Sequence, residues 1–172
     1  TSTGTCPAGG VVGYAVYVVT NDCTVQYCYS TASVTGKSRV GGVVGYFASS
    51  SSCLLGNCVA LNPSVTTTSV SDNIGRVGGE ISYLARRDGF VHDNYARSSG
   101  MTLRDSGGTY TPTGTTSVHT EKDGANVDVG TGAAQYNNQG FWNGLAYDFS
   151  AGGPWQWGSG NLPILKNMPT GK

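Results

Sequence analysis

Charge is scarce in this sequence. Only 12% of its 172 residues are Asp, Glu, Lys or Arg, and ten basic residues balance ten acidic ones. No net field therefore draws in nucleic acid or an anionic membrane over distance, and nucleic acid is not an expected partner. Long apolar runs are missing too. No stretch approaches the ~18 residues that a bilayer-crossing helix needs, so no membrane span is expected. The chain begins at Thr1 without Met and shows no charged region followed by an apolar one, so any export signal is expected to lie outside it. Five cysteines make an odd count with no CxxC pair, and the two histidines are remote from them. A complete disulfide framework and a zinc site are not expected. No GxSxG elbow and no Cys and His pairing is present. From these absences the expectation is a chain without a cofactor, and not an enzyme.

What is plentiful is glycine, at 27 residues, with many Ser, Thr and Asn. That composition belongs to turn-rich β structure with a weakly charged surface. The length suits one domain or one contiguous stack.

The strongest pattern is self-similarity. GGVVGY stands at 9–14 and again at 41–46, and GGEISY at 78–83 reads as a degraded third copy. Downstream, Cys23 to Cys28 aligns with Cys53 to Cys58, and Gly89 to Asn94 offers the same register. Val25, Leu55 and Val91 then form an apolar column, Cys28, Cys58 and Asn94 a small-residue column, and Tyr29, Val59 and Tyr95 a third. Alternation within the hexamer points Val12, Val44 and Ile81 inward and Val11, Val43 and Glu80 outward. A unit of this size cannot bury its apolar face alone, so successive copies must stack. The expected fold is all-β, a parallel β-solenoid of about three repeats. The stacked cysteines come within disulfide reach, but inward-pointing free thiols acting as small hydrophobes are the expected reading.

Residues 1–97 hold these repeats. Residues 98–132, rich in Gly, Ser, Thr and Asp, read as a loop-rich insertion or irregular hairpin. Residues 133–172 read as a C-terminal capping segment of the same domain, with a turn of helix followed by a strand. Its bulk comes from Tyr136, Phe141, Trp142, Leu145, Tyr147, Phe149, Trp155 and Trp157.

The hexamers and the VQYCYSTASV and LLGNCVALNPSV blocks that follow them resemble the GLUG repeat of large bacterial surface proteins, among them adhesin-like proteins and immunoglobulin A proteases. The closing FWNGLAYDF, PWQW and LPILK pattern looks like the end of such modules in Bacteroidetes-type secreted proteins. The resemblance covers about 6–97 and 133–166, with Val11 and Val43 where that repeat often carries Leu. It implies a right-handed parallel β-helix, exported to the bacterial surface or beyond, and joined to further domains. The beginning of the chain in mid-repeat gives the expectation of upstream domains in the same polypeptide.

Arg86, Arg87, Asp88, His92, Asp93 and Arg97 form the densest polar cluster, readable as a solvated loop or as a contact for anionic glycan, with His92 or Asp93 as acid or base. Asp123, Asn126 and Asp128 offer oxygen ligands at short spacing for Ca²⁺ but match neither the EF-hand spacing nor the nonapeptide calcium-binding pattern. Trp142 and Trp155, with Tyr136 and Trp157, are either a sugar-stacking platform or cap core. The leading expectation is a non-enzymatic surface module that binds glycan or host matrix protein along an extended face. A polysaccharide lyase or glycoside hydrolase, needing Glu80, Asp93 and Arg97 in one groove, is the alternative. A spacer for a distant domain is another.

Overall fold

The computed structural model describes residues 6–16, 23–48, 53–69, 73–87, 89–110, 120–130 and 132–168. It is nearly all β, with mostly parallel sheets and two short helices. The chain divides into two compact units, Thr1–Asn126 and Val127–Lys172.

In the first unit each repeat contributes one strand to each of five sheets. Ala8–Gly9, Val40–Gly41 and Ile74–Gly75 form the first, and Val12–Val16, Val44–Ala48 and Gly78–Ile81 the second. Thr24–Gln26, Leu54–Gly56 and Val91–His92 form the third. The fourth joins Tyr29–Ser30, Val59–Ala60, Tyr95–Arg97 and Ala125–Val127. The fifth joins Val34–Gly36, Ser64–Thr67 and Thr102–Asp105, with Gly108–Thr109 closing it as an antiparallel hairpin strand. Neighbours from successive repeats pair in parallel, so equivalent residues stack. Val25, Leu55 and Val91 lie in register, as do Tyr29, Val59 and Tyr95.

Two expectations about the hexamer are corrected. The third copy is not GGEISY at 78–83 but the segment from Gly75 to Glu80, since Gly75 pairs with Gly41 and Glu80 with Tyr46. The repeat lengths are thus 32 residues from Gly9 to Gly41 and 34 from Gly41 to Gly75. The reason is local. A Cβ on Gly9 would overlap the Val12 carbonyl oxygen, one on Gly41 that of Val44, and one on Gly75 that of Gly78, the same tight approach three times. The following position reads Gly10, Gly42, Arg76: a Cβ on Gly10 would overlap the Gly42 carbonyl oxygen and one on Gly42 that of Arg76, and only the third repeat carries a side chain there.

The second correction concerns Val43, which is fully buried rather than outward, as is Val44. Residues 42 and 43 form a bend before the strand begins, and period-2 alternation holds only within a strand. Past that bend the pattern does alternate: Tyr46 faces out and Phe47 is buried in the core.

One apolar cluster runs through Val25, Val43, Val44, Phe47, Leu55, Val77, Ile81 and Val91. A second stacks Val34, Val65 and Leu103 beside Val40 and Ile74. Each fully buried side chain of this kind contributes roughly 1.5–3 kcal/mol relative to exposure. Two asparagines sit inside. Asn94 donates to the Leu55 carbonyl at 2.9 Å and accepts from the Cys58 N–H at 3.2 Å. Asn62 donates to Ser30 Oγ and to the carbonyls of Ala32 and Gly42.

In the stretch 98–132, expected as a loop-rich insertion or irregular hairpin, the described residues include a hairpin of Thr102–Asp105 with Gly108–Thr109 and also extend two of the sheets. Thr102–Asp105 pairs with Ser64–Thr67, and Ala125–Val127 adds the fourth strand to its sheet. Both are placed by register against earlier repeats, which leaves little trace in local composition. In the second unit, Gln139–Gly144 is helical with Asn138 as its N-cap, accepting from the Gly140 N–H at 2.8 Å. Trp155–Trp157 pairs antiparallel with Pro163–Leu165.

Candidate functional site

The polar cluster seen in the sequence is dispersed. Arg86 lies in the short helix Tyr83–Arg87 and forms an ion pair with Glu121. The Arg87 side chain and Asp88 lie outside the described residues. His92 Nδ1 and Asp93 Oδ2 are 3.0 Å apart at the surface. Asp93 itself is a corner residue with φ of 50°, in register with Asn57 at 55° and Tyr27 at 52°. Asn and Asp are enriched in this left-handed region, which accounts for Asp93 without an acid or base role. Arg97 is elsewhere. Glu80, Asp93 and Arg97 therefore do not share one groove.

Glu80 stands at the end of an outward column. Tyr14 and Tyr46 stack with ring centroids 5.2 Å apart, the Arg39 guanidinium sits 4.2 Å from the Tyr46 centroid, and Arg39 Nε donates to Glu80 at 2.7 Å. Beside it a pocket of about 410 Å³ is lined by Glu80, Arg86, Glu121, Lys122 and Asp123. Its carboxylates are engaged: Glu80 by Arg39, Glu121 by Arg86, and Asp123 by the backbone N–H of Arg76 at 3.0 Å. This arrangement holds the stack together and leaves no paired acid and base.

A second pocket, of about 370 Å³, is lined by Arg76 and Arg97 with Ser98, Thr102, Thr109 and Tyr110, over an apolar floor of Met101 and Leu103. No carboxylate lines it. Arg76 is 4% exposed, and among the described residues its guanidinium is hydrogen-bonded by neutral oxygens: Asn126 Oδ1 at 2.7 Å, the Gly124 carbonyl at 3.0 Å and the Arg97 carbonyl at 3.3 Å. Its Nε finds no acceptor among the described residues. Burial pulls the guanidinium below its ordinary value, opposed by the Asp123 charge, yet an arginine stays protonated in a protein. Arg97 Nε donates to the Ser99 carbonyl at 2.7 Å, which folds that side chain over its own turn. Lys122 Nζ lies 5.1 Å from the Tyr110 centroid and adds a third positive charge nearby. Such a pocket suits a carboxylate carried on a ligand with an apolar face.

Sequence reasoning found Arg97 and missed Arg76. The signal was present: in the glycine column Gly10, Gly42, Arg76 a charged residue intrudes once. It was hidden by the three-residue error in register.

Of the candidate calcium ligands, Asn126 accepts from Arg76, and Asp123 is buried with its carboxyl pushed upward, chiefly by burial. Asp128 belongs to the second unit. Among the described residues no group of three or more His, Cys, Asp or Glu is placed to hold a metal ion. In the second unit Trp142 is fully buried, donates its indole N–H to the Tyr136 carbonyl at 2.5 Å, and packs edge-on against Phe141 and Tyr147. It cannot meet a ligand there. Trp155, half-buried, packs on Tyr147 with centroids 5.0 Å apart, and Trp157 on Phe149. The aromatics serve that unit's core. No helix among the described residues is long and apolar enough to cross a membrane.

No family model matches the chain, and no curated protein matches it. Among solved structures, it is similar to one described as a putative immunoglobulin A1 protease from Bacteroides ovatus, with 18% identity and a TM-score of 0.52. The match covers 95% of this chain and 54% of that one, so the chain spans about half the length of its structural neighbour. At that identity the likeness shows the fold. It also corrects the expectation that the chain is not an enzyme: the fold is shared with a protein described as a protease, so the lack of a familiar motif excludes no activity.

Proposed function

We propose that this chain is a GLUG-like, right-handed parallel β-helix module of an exported bacterial surface protein, and that its Arg76–Arg97 pocket binds a carboxylate-bearing glycan of a host glycoprotein. The observation that carries the reading is the convergence of Arg76 and Arg97 on one pocket without a lining carboxylate. A buried guanidinium hydrogen-bonded by neutral oxygens is a costly feature unless an anion joins it, and Ser, Thr and Tyr hydroxyls around it match the hydroxyls of a sugar. The apolar floor at Met101 and Leu103 suits the ring face of an acidic sugar. Stacked parallel strands with in-register columns support the β-helix reading. The described name of the structural neighbour supports a polypeptide that acts on a host glycoprotein, with immunoglobulin A1 as the substrate class.

The test is binding of the purified chain to immobilised sialylated, uronic-acid-containing and neutral oligosaccharides, with Arg97→Ala beside the parent. Retention on acidic glycans that weakens with salt and falls at least tenfold in Arg97→Ala is expected. Equal retention on neutral glycans, or none on acidic ones, sinks the reading.

A further inference from the structure

The register that stacks the repeats also stacks their sulfurs. Thr24 pairs with Leu54 and Tyr29 with Val59, so Cys23 lies over Cys53 and Cys28 over Cys58, each directly before one of these adjacent parallel strands. Adjacent strands lie ~4.8 Å apart, inside the ~4.4–6.8 Å of Cα separation that a disulfide bridges. All five cysteines stand as thiols. In the second pair, Cys28 Sγ donates to the Gln26 carbonyl at 3.1 Å and Cys58 Sγ to the Gly56 carbonyl at 3.2 Å. Each sulfur thus turns across its corner to the end of the preceding strand, and Cys58 Sγ also reaches towards the Val25 carbonyl of the first repeat at 3.6 Å.

We propose that Cys28 and Cys58 are a disulfide-forming pair that staples the first repeat to the second when the chain meets a disulfide oxidant. The two members are unequal, which gives the reaction an order. Cys58 is fully buried, while Cys28 is half-buried and within reach of a small oxidant. Contact with Cys58 pulls the Cys28 thiol down to about 7, and the same contact, with burial, pushes Cys58 well up, so Cys28 is the member that favours the thiolate. The Cys23 thiol is raised, chiefly by burial and then by Cys53.

With glutathione disulfide as the oxidant, the Cys28 thiolate attacks one sulfur, the S–S bond breaks, and one glutathione leaves as thiolate and takes up a proton. Cys58 then gives up its proton and attacks Cys28 Sγ, expelling the second glutathione. Two protein thiols are oxidised to one disulfide, and one glutathione disulfide is reduced to two thiols. The product links residues 30 positions apart in adjacent repeats, which restricts the unfolded chain.

The experiment treats the full chain with glutathione disulfide, blocks remaining thiols, digests without reduction and reads cross-linked peptides by mass spectrometry, alongside urea unfolding before and after dithiothreitol. The expected result is a peptide joining Cys28 to Cys58, with an unfolding midpoint that rises on oxidation and falls back on reduction. In Cys28→Ser, which keeps the buried Cys58, the midpoint does not respond. A stable Cys28–glutathione adduct without cross-link, a linkage confined to other cysteines, or a cross-link that leaves the midpoint unmoved overturns the proposal.

Discussion

The carboxylate of Asp123 receives the backbone N–H of Arg76 at 3.0 Å, taking the place that a backbone carbonyl holds one repeat earlier. There the Gly42 N–H donates to the Arg76 carbonyl, and before that the Gly10 N–H to the Gly42 carbonyl. The ladder of the stack thus ends on a side chain. The neighbouring Lys122 carbonyl ends the next rungs, accepting from Val77 and Gly78. Asp123→Ala should orphan the Arg76 N–H in the interior and cost about 1–3 kcal/mol. Asp123→Asn keeps an acceptor oxygen and should lose less, as chemical denaturation of the two variants would show.

The same carboxyl gives a pH signature. Burial raises its folded pKa above the ordinary 3.8, so protonation is favoured by folding. Its contribution is fully present below the unfolded value and is lost as pH rises through the folded one. The stability of the parent minus that of Asp123→Asn should therefore fall as pH is raised from the mid-acidic range towards neutrality. Urea unfolding of both across that range measures the difference, and a difference that grows with pH contradicts the assignment.

Much of this architecture was legible because stacking repeats impose columns that chemistry must fill. Val25, Leu55 and Val91 had to be apolar, and Cys28, Cys58 and Asn94 had to be small enough to lie side by side. The fine register was not legible. GG at 78–79 imitates the opening of the hexamer, while strand register sets Gly75 opposite Gly41 and Glu80 opposite Tyr46; Gly75 and Gly79 are both closely approached by backbone, a fact that composition does not display. The site suffered with it, since Arg76 became visible as an intruder only once Gly42 was known to lie opposite. Trp142 misled for a different reason: an aromatic side chain serves a core and a sugar platform equally well in sequence, and only packing separates them.

Identical hexamers should respond unequally to the same substitution. Val43 is fully buried between Val11 and Val77, whereas Val11 is 43% exposed, with no strand stacked beyond it among the described residues. Val43→Asp should place an unpaired charge in the core and cost on the order of 3–5 kcal/mol. Val11→Asp should stay within about 0.5 kcal/mol of the parent. Thermal or urea unfolding of the pair separates the buried bend from an outward strand position, for which both changes would be mild.

Asn94 tests the interior hydrogen bonds. Asn94→Leu fills a similar volume but leaves the buried Cys58 N–H without its acceptor, while the Leu55 carbonyl loses one of its donors. A loss of roughly 1–3 kcal/mol for the orphaned Cys58 N–H is expected. Amide hydrogen exchange should localise it, with Cys58 protection falling more than that of Val65 on the fifth sheet.

The corner column of Tyr27, Asn57 and Asp93 separates conformation from chemistry at the residue whose side chain most invited a catalytic reading. All three have φ between 50° and 55°, a region that costs an ordinary L-residue about 1–2 kcal/mol and costs glycine nothing. The His92 contact to Asp93 is at the surface and screened by water, so its removal should matter little. Asp93→Gly should therefore match or exceed the parent in stability, and Asp93→Val should fall about 1–2 kcal/mol below it, because a β-branched side chain resists that conformation. Retention on acidic glycans should be unchanged in Asp93→Gly, since the Arg76–Arg97 pocket does not include it. Loss of retention in Asp93→Gly with stability intact would return Asp93 to the binding site and remove the conformational explanation.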